Sequence, residues 1–150
     1  MRDRRFVRVH RGGSLEEADH RALMGWAIVC TEHILKLIPY ELDPLLEKAL
    51  QIAHDWEAGR ASTKDAIKAS REVHALARDI SDPVMKLIAR CIGHTVATAH
   101  MADHCLGPAW YIRKIMMLTG GSAEEEQKWQ EQQLLNLPSH VRDLVIQGMI

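Results

Sequence analysis

The chain has 150 residues, 47% hydrophobic and 26% charged, with nine histidines, three cysteines and a formal net charge of −1. That length suits one domain that buries about two-thirds of its unfolded surface without a disulfide or metal staple. No apolar run reaches the roughly 18 residues of a spanning helix and no apolar core follows Met1-Arg2-Asp3-Arg4-Arg5, so the expectation is a cytoplasmic protein with no membrane partner and no leader. Cys30, Cys91 and Cys105 are odd in number, widely spaced and set among apolar neighbours, which points to reduced core thiols.

Residues 1–13 read as a basic amino-terminal arm and residues 14–150 as the domain. Arg2, Arg4, Arg5, Arg8 and Arg11 face only Asp3, giving residues 1–12 a charge of +4 and leaving −5 on the rest. Such an arm can touch phosphates, but it holds one aromatic, Phe6, and no second basic cluster extends the footprint, so nucleic acid is not an expected partner. A solvated tail or a short edge strand over Phe6-Val7-Arg8-Val9-His10 is the simpler reading, ending at Gly12-Gly13.

From Ser14 onward the pattern is helical. Ser14 and Glu17 have capping-box spacing, and Leu15, Ala18, Ala22, Trp26, Val29, His33 and Leu37 then recur at helical intervals until Pro39. Asp43-Pro44 opens a second helix with Ala49, Ile52, Ala53 and Trp56 on its apolar face, stopped at Gly59. Ser62 and Asp65 open a third, carried by Ala66, Ala69, Val73, Leu76, Ala77 and Ile80, with His74 beside that face. Asp82-Pro83 starts the helix expected to be longest, running to about Cys105 until Gly107-Pro108 breaks it. Pro108 then begins a helix with Trp110, Ile112, Ile115, Met116 and Leu118, closed by Gly120-Gly121. Ser122 and Glu125 cap the next, with Glu124, Glu125 and Glu126 complementing its dipole and Trp129 on its course to about Leu137. Pro138-Ser139 restarts the chain through Val141, Leu144 and Val145. The expectation is an all-α, single-domain bundle of six or seven helices around a long central helix near 83–105.

The segment Gly93-His94-Thr95-Val96-Ala97-Thr98-Ala99-His100-Met101-Ala102-Asp103-His104 carries three histidines and no charge before Asp103. On a continuous helix, at about 100° per residue, His100 and His104 share a face with Ala89, Gly93 and Ala97, while His94 points about a quarter-turn away. Buried imidazoles need partners for their ring nitrogens, so one reading is an internal hydrogen-bond network. The other is a divalent metal such as zinc on His100 and His104, with Asp103 supplying or orienting a ligand and Glu32 and His33 of the first helix completing the set. Two histidines fall short of the three protein ligands of an open catalytic zinc site; the network reading needs no cofactor and no catalytic residue, whereas the alternative is a metal-binding bundle or a metal-dependent enzyme using His100, Asp103 and His104 with one divalent ion. Nucleophile-elbow, P-loop and dinucleotide fingerprints are absent. Trp26, Trp56, Trp110 and Trp129 fall on separate helices, as core anchors or surface hot spots.

With these residues in view, the chain resembles the putative immunity protein family of bacterial polymorphic toxin systems. The resemblance runs through Trp26, Cys30-Thr31-Glu32-His33-Ile34-Leu35, the stretch from Ala49 to Gly59, and His74, and is densest over Gly93 to His104. It continues through Trp110-Tyr111, Glu126, Trp129-Gln130, Leu137-Pro138, Arg142 and Leu144-Val145, covering most of the chain from about Leu23, with the basic arm outside it. It implies an intracellular all-helical protein that is no enzyme and that binds and blocks a cognate protein toxin; it transfers no active residues. Family members tend to be alanine-rich in the second and third helices, where this chain has Lys48, Leu50, Lys64, Ile67 and Lys68. A homo-oligomer is compatible with the same pattern.

Overall fold

The structure is a computed structural model describing residues 2–149. Among those residues it holds seven α-helices: α1 Glu17–Leu37, α2 Pro44–Glu57, α3 Thr63–Arg78, α4 Pro83–Ala97, α5 Leu106–Leu118, α6 Ala123–Gln133 and α7 Ser139–Met149. Short 3-10 turns lie at Arg4–Phe6, Val9–Arg11, Ala102–Cys105 and Leu134–Asn136, and among the described residues no strand is formed beyond one isolated bridge between Arg8 and Leu15. The protein is an all-α single-domain bundle. No helix among the described residues is long and apolar enough to cross a membrane.

Several helix starts follow directly from side chains that accept otherwise unpaired amides. Asp43 accepts from Leu45 N at 2.8 Å, Ser62 from Asp65 N at 3.0 Å, Asp82 from Val84 N and Met85 N, and Ser122 from Glu125 N at 3.1 Å. Each such cap contributes about 1 kcal/mol. The Ser14–Glu17 capping box does not form, and α1 starts at Glu17 without a side-chain cap. Ser14 and Leu15 are instead drawn into pairing with the amino-terminal segment: Ser14 N donates to Arg4 O, Leu15 N to Val7 O and Val9 N to Leu15 O. That pairing seats Leu15 and Phe6 in the core, so the basic arm is folded onto the bundle and is neither a solvated tail nor a strand.

α4 occupies the centre, packing against α1, α2, α3 and α5. Small buried residues on α2, α3 and α4, including Ala49, Ala53, Ala66, Ala69, Ala77 and Ala89, let these helices approach closely. Ser70 Oγ donates to Gly93 O at 3.2 Å across the α3–α4 contact, and Thr31 and Thr95 hydroxyls meet at 2.7 Å between α1 and α4. Cys30, Cys91 and Cys105 are free and fully buried, and burial pushes all three thiols up, Cys91 to about 12.

The central helix is shorter than its sequence pattern suggests: α4 stops at Ala97, and residues 98–105 form a tight turn and a 3-10 segment. Gly107 and Pro108 consequently lie inside the first turn of α5 and break nothing. The proline supplies the reason. A helix running unbroken through residue 108 would leave His104 O without its donor and press the ring on it, whereas restarting at Leu106 puts Pro108 where no amide is required. Thr98 assists the stop, its Oγ1 donating to His94 O at 3.1 Å.

Candidate functional site

The break at Ala97 reorganises the histidines. His100 and His104 no longer occupy successive turns of one helix; the chain reversal carries His104 back onto His94, whose Nδ1 lies 3.0 Å from its own Nδ1. His74 of α3 joins them, its ring edge-on to His94 at 5.2 Å, and His100 lies 5.6 Å from His104. Two glycines make this possible. A Cβ at Gly93 would stand 2.6 Å from the His74 ring and one at Gly107 would stand 2.8 Å from the His94 ring, so each imidazole occupies space that only glycine leaves. Tyr111 of α5 borders the group, 5.3 Å from His94.

The four rings are half-buried, which favours their neutral form. Burial lowers the pKa of each, and the neighbouring imidazoles and Arg90 push His94 further down, to about 4. Arg90 donates to His74 Nδ1 at 2.8 Å, which places that ring's proton on Nε2. Asp103 is turned outward to Arg2 at 3.1 Å, and His100 Nδ1 is buried without a partner.

Glu32 and His33 are not part of this group. Glu32 pairs with His54 of α2 at 3.1 Å, while His33 stacks on Trp129 at 3.6 Å and meets Glu126 of α6 at 3.3 Å. The structure thus separates the five expected ligands: His100 and His104 lie in the histidine group, Asp103 turns out to Arg2, and α1 directs Glu32 toward α2 and His33 toward α6. Among the described residues no three of His, Cys, Asp and Glu are placed to hold a metal ion. The Glu126 side chain is 4% exposed, its Oε1 has no partner and burial raises its pKa. Gln130 beside it is fully buried, donating to Ala109 O and accepting from Arg113, while Trp26 Nε1 donates to Gln130 O at 3.0 Å. These bonds pin α1, α5 and α6 together.

Of the four tryptophans, Trp26 and Trp56 are buried anchors and Trp129 is partly buried, but Trp110 is 50% exposed. It heads a stripe on α5 with Lys114, whose Nζ lies 4.9 Å from the Trp110 ring, and with Met117, 71% exposed. Spaced four and then three residues apart, these side chains share a face. Together with Arg113 and with Ala123, Glu124 and Gln127 of α6 they line a depression of about 520 Å³. Tryptophan, methionine and arginine are residue types enriched in the cores of protein contacts, whereas lysine and glutamate are more common at their rims.

The fold and this surface define an all-α helical bundle with an exposed aromatic and basic stripe on α5. The chain belongs to the family described as Imm-5 like putative immunity protein, whose sequence profile matches residues 13–137. That match starts ahead of the expected one and ends before α7, leaving most of the basic arm outside. No curated protein and no solved structure matches the chain.

Proposed function

We propose that this protein neutralises a cognate bacterial toxin by stoichiometric binding and performs no turnover of its own. The family match over residues 13–137 carries the reading. The α5 stripe supports it, since a rigid helix face bearing Trp110, Lys114 and Met117 offers a preformed contact surface that costs little ordering on association.

The test is to co-express the protein with a toxin encoded beside its gene, score growth, and attempt co-purification. Relief of growth arrest together with recovery of an equimolar complex is expected. Unrelieved arrest with no complex recovered would overturn the antidote role.

A further inference from the structure

The folded arm builds a cavity independent of the α5 surface. Phe6, Val7, Arg8, His10 and Arg11 form one wall, and α1, α3 and the turn after α4 form the remainder, enclosing about 420 Å³. Every ionisable side chain lining it is basic: Arg2, Arg8, His10, Arg11, His20 and His100. No carboxylate lines the cavity. Volumes of this order accommodate small organic ligands.

The arginines differ in how far their charge is already met. Arg2 is committed to Asp103 at 3.1 Å, and Arg8 reaches Glu17 only at 4.0 Å. Arg11 makes no ion pair among the described residues. His20 orients Arg8: its Nε2 donates to Thr98 O at 2.6 Å, so its Nδ1 is left to accept from the guanidinium at 3.4 Å. With Arg2 already paired, the guanidinium groups of Arg8 and Arg11 are the cations at this cavity whose charge is least met, and their planar forks match phosphate oxygens. Ile67 and Met101 contribute apolar surface beside these cations. Free phosphate would fill a small part of the space, whereas a phosphate carried on a flat or apolar body would use both kinds of wall.

We infer that the cavity between the amino-terminal arm and the turn after α4 binds a small organic phosphate monoester, with Arg8 and Arg11 clasping the phosphate. The charge pattern of residues 1–12 then has a structural use: folding the arm onto the bundle turns a linear basic segment into one wall of a site.

Isothermal titration of the full-length protein at low salt, using adenosine 5′-monophosphate, inorganic phosphate and adenosine as probes, tests this. Saturable one-to-one binding of the monophosphate is expected, with weaker binding of inorganic phosphate and none of adenosine. Arg11→Gln should weaken the monophosphate complex by about tenfold, as should Arg8→Gln, and raising salt should weaken it further. Lys128→Gln, a charge loss outside the cavity, should leave it within about twofold. Melting curves of the variants guard against unfolding, and Arg11, exposed and unpaired, keeps the test decisive should Arg8→Gln disturb His20. Absence of saturable binding by both phosphates, equal binding of adenosine, or an equal loss in Lys128→Gln would each overturn the assignment.

Discussion

His94 and His104 share a single proton between their Nδ1 atoms, 3.0 Å apart, so one ring donates and the other accepts. The bond therefore exists only while at least one of the rings is neutral. It ties the end of α4 to the segment that leads into α5.

Acid should loosen this tie. Burial, reinforced for His94 by the adjoining imidazoles and Arg90, lowers the folded pKa of His74, His94, His100 and His104 below the ordinary value near 6.5, and His94 to about 4. The unfolded chain then binds more protons than the native one, so stability is fully present above about pH 6.5 and is lost as pH falls toward 4. Urea midpoints measured from pH 8 to pH 4 should decline over that window, and His94→Asn should decline less steeply. A midpoint that is flat from pH 7 to 4 would contradict the arrangement.

Gly93→Ala should destabilise the protein by about 1–2 kcal/mol despite alanine's better helix propensity, because the new Cβ would stand 2.6 Å from the His74 ring. In a His74→Ala background the same change should become neutral or stabilising by up to about 1 kcal/mol. The double-mutant cycle measures the contact directly, and additive effects would show that ring and glycine do not meet.

The arm should matter to stability. Phe6 is 3% exposed and its ring reaches α7 at Gly148, so Phe6→Ala should cost about 3 kcal/mol. Calorimetry of the variant, alongside a chain lacking residues 1–12, decides the point; an unchanged melting temperature in both would show that the arm lies free.

Glu126 should show the opposite pH sign to the histidines. Burial raises its carboxyl pKa, with His33 opposing, so its contribution is complete below the unfolded value near 4.5 and is lost as pH rises through the raised one. Glu126→Gln keeps a neutral side chain of the same shape, and should be stabilising by up to about 1 kcal/mol at pH 8 relative to its effect at pH 4. Equal effects at both pH values would argue against a strained carboxylate.

Trp110→Ala should leave the fold within about 0.5 kcal/mol of the parent, since half of the side chain is already in solvent, yet weaken a toxin complex by 2 kcal/mol or more. Paired measurement of melting temperature and Kd separates the two effects. A complex of undiminished affinity would move the contact away from α5.

Much of the bundle is written locally. Asp43-Pro44, Ser62, Asp82 and Ser122 each announce a helix start by chemistry that acts within three residues, and each forms its cap. The histidine group is different, because His74, His94 and His104 come together only through α3–α4 packing and the reversal after Ala97. One signal was present: Pro108 lies four residues after His104 and requires that residue's carbonyl to be free of a continuing helix. Ser14 misled because its cap competed with burial of Leu15, and the larger apolar gain prevailed. Trp110 could not be told from Trp26 by residue type, and α5 is apolar on several sides, so periodicity did not single out its exposed face.

The burial of Cys30, Cys91 and Cys105 supplies three internal clocks. They sit on α1, on α4 and in the 102–105 segment, and a thiol reagent can reach each only when its own part of the bundle opens. Labelling rates read cysteine by cysteine would report whether the histidine-bridged segment breathes separately or waits for the whole core, and would do so without any engineered probe.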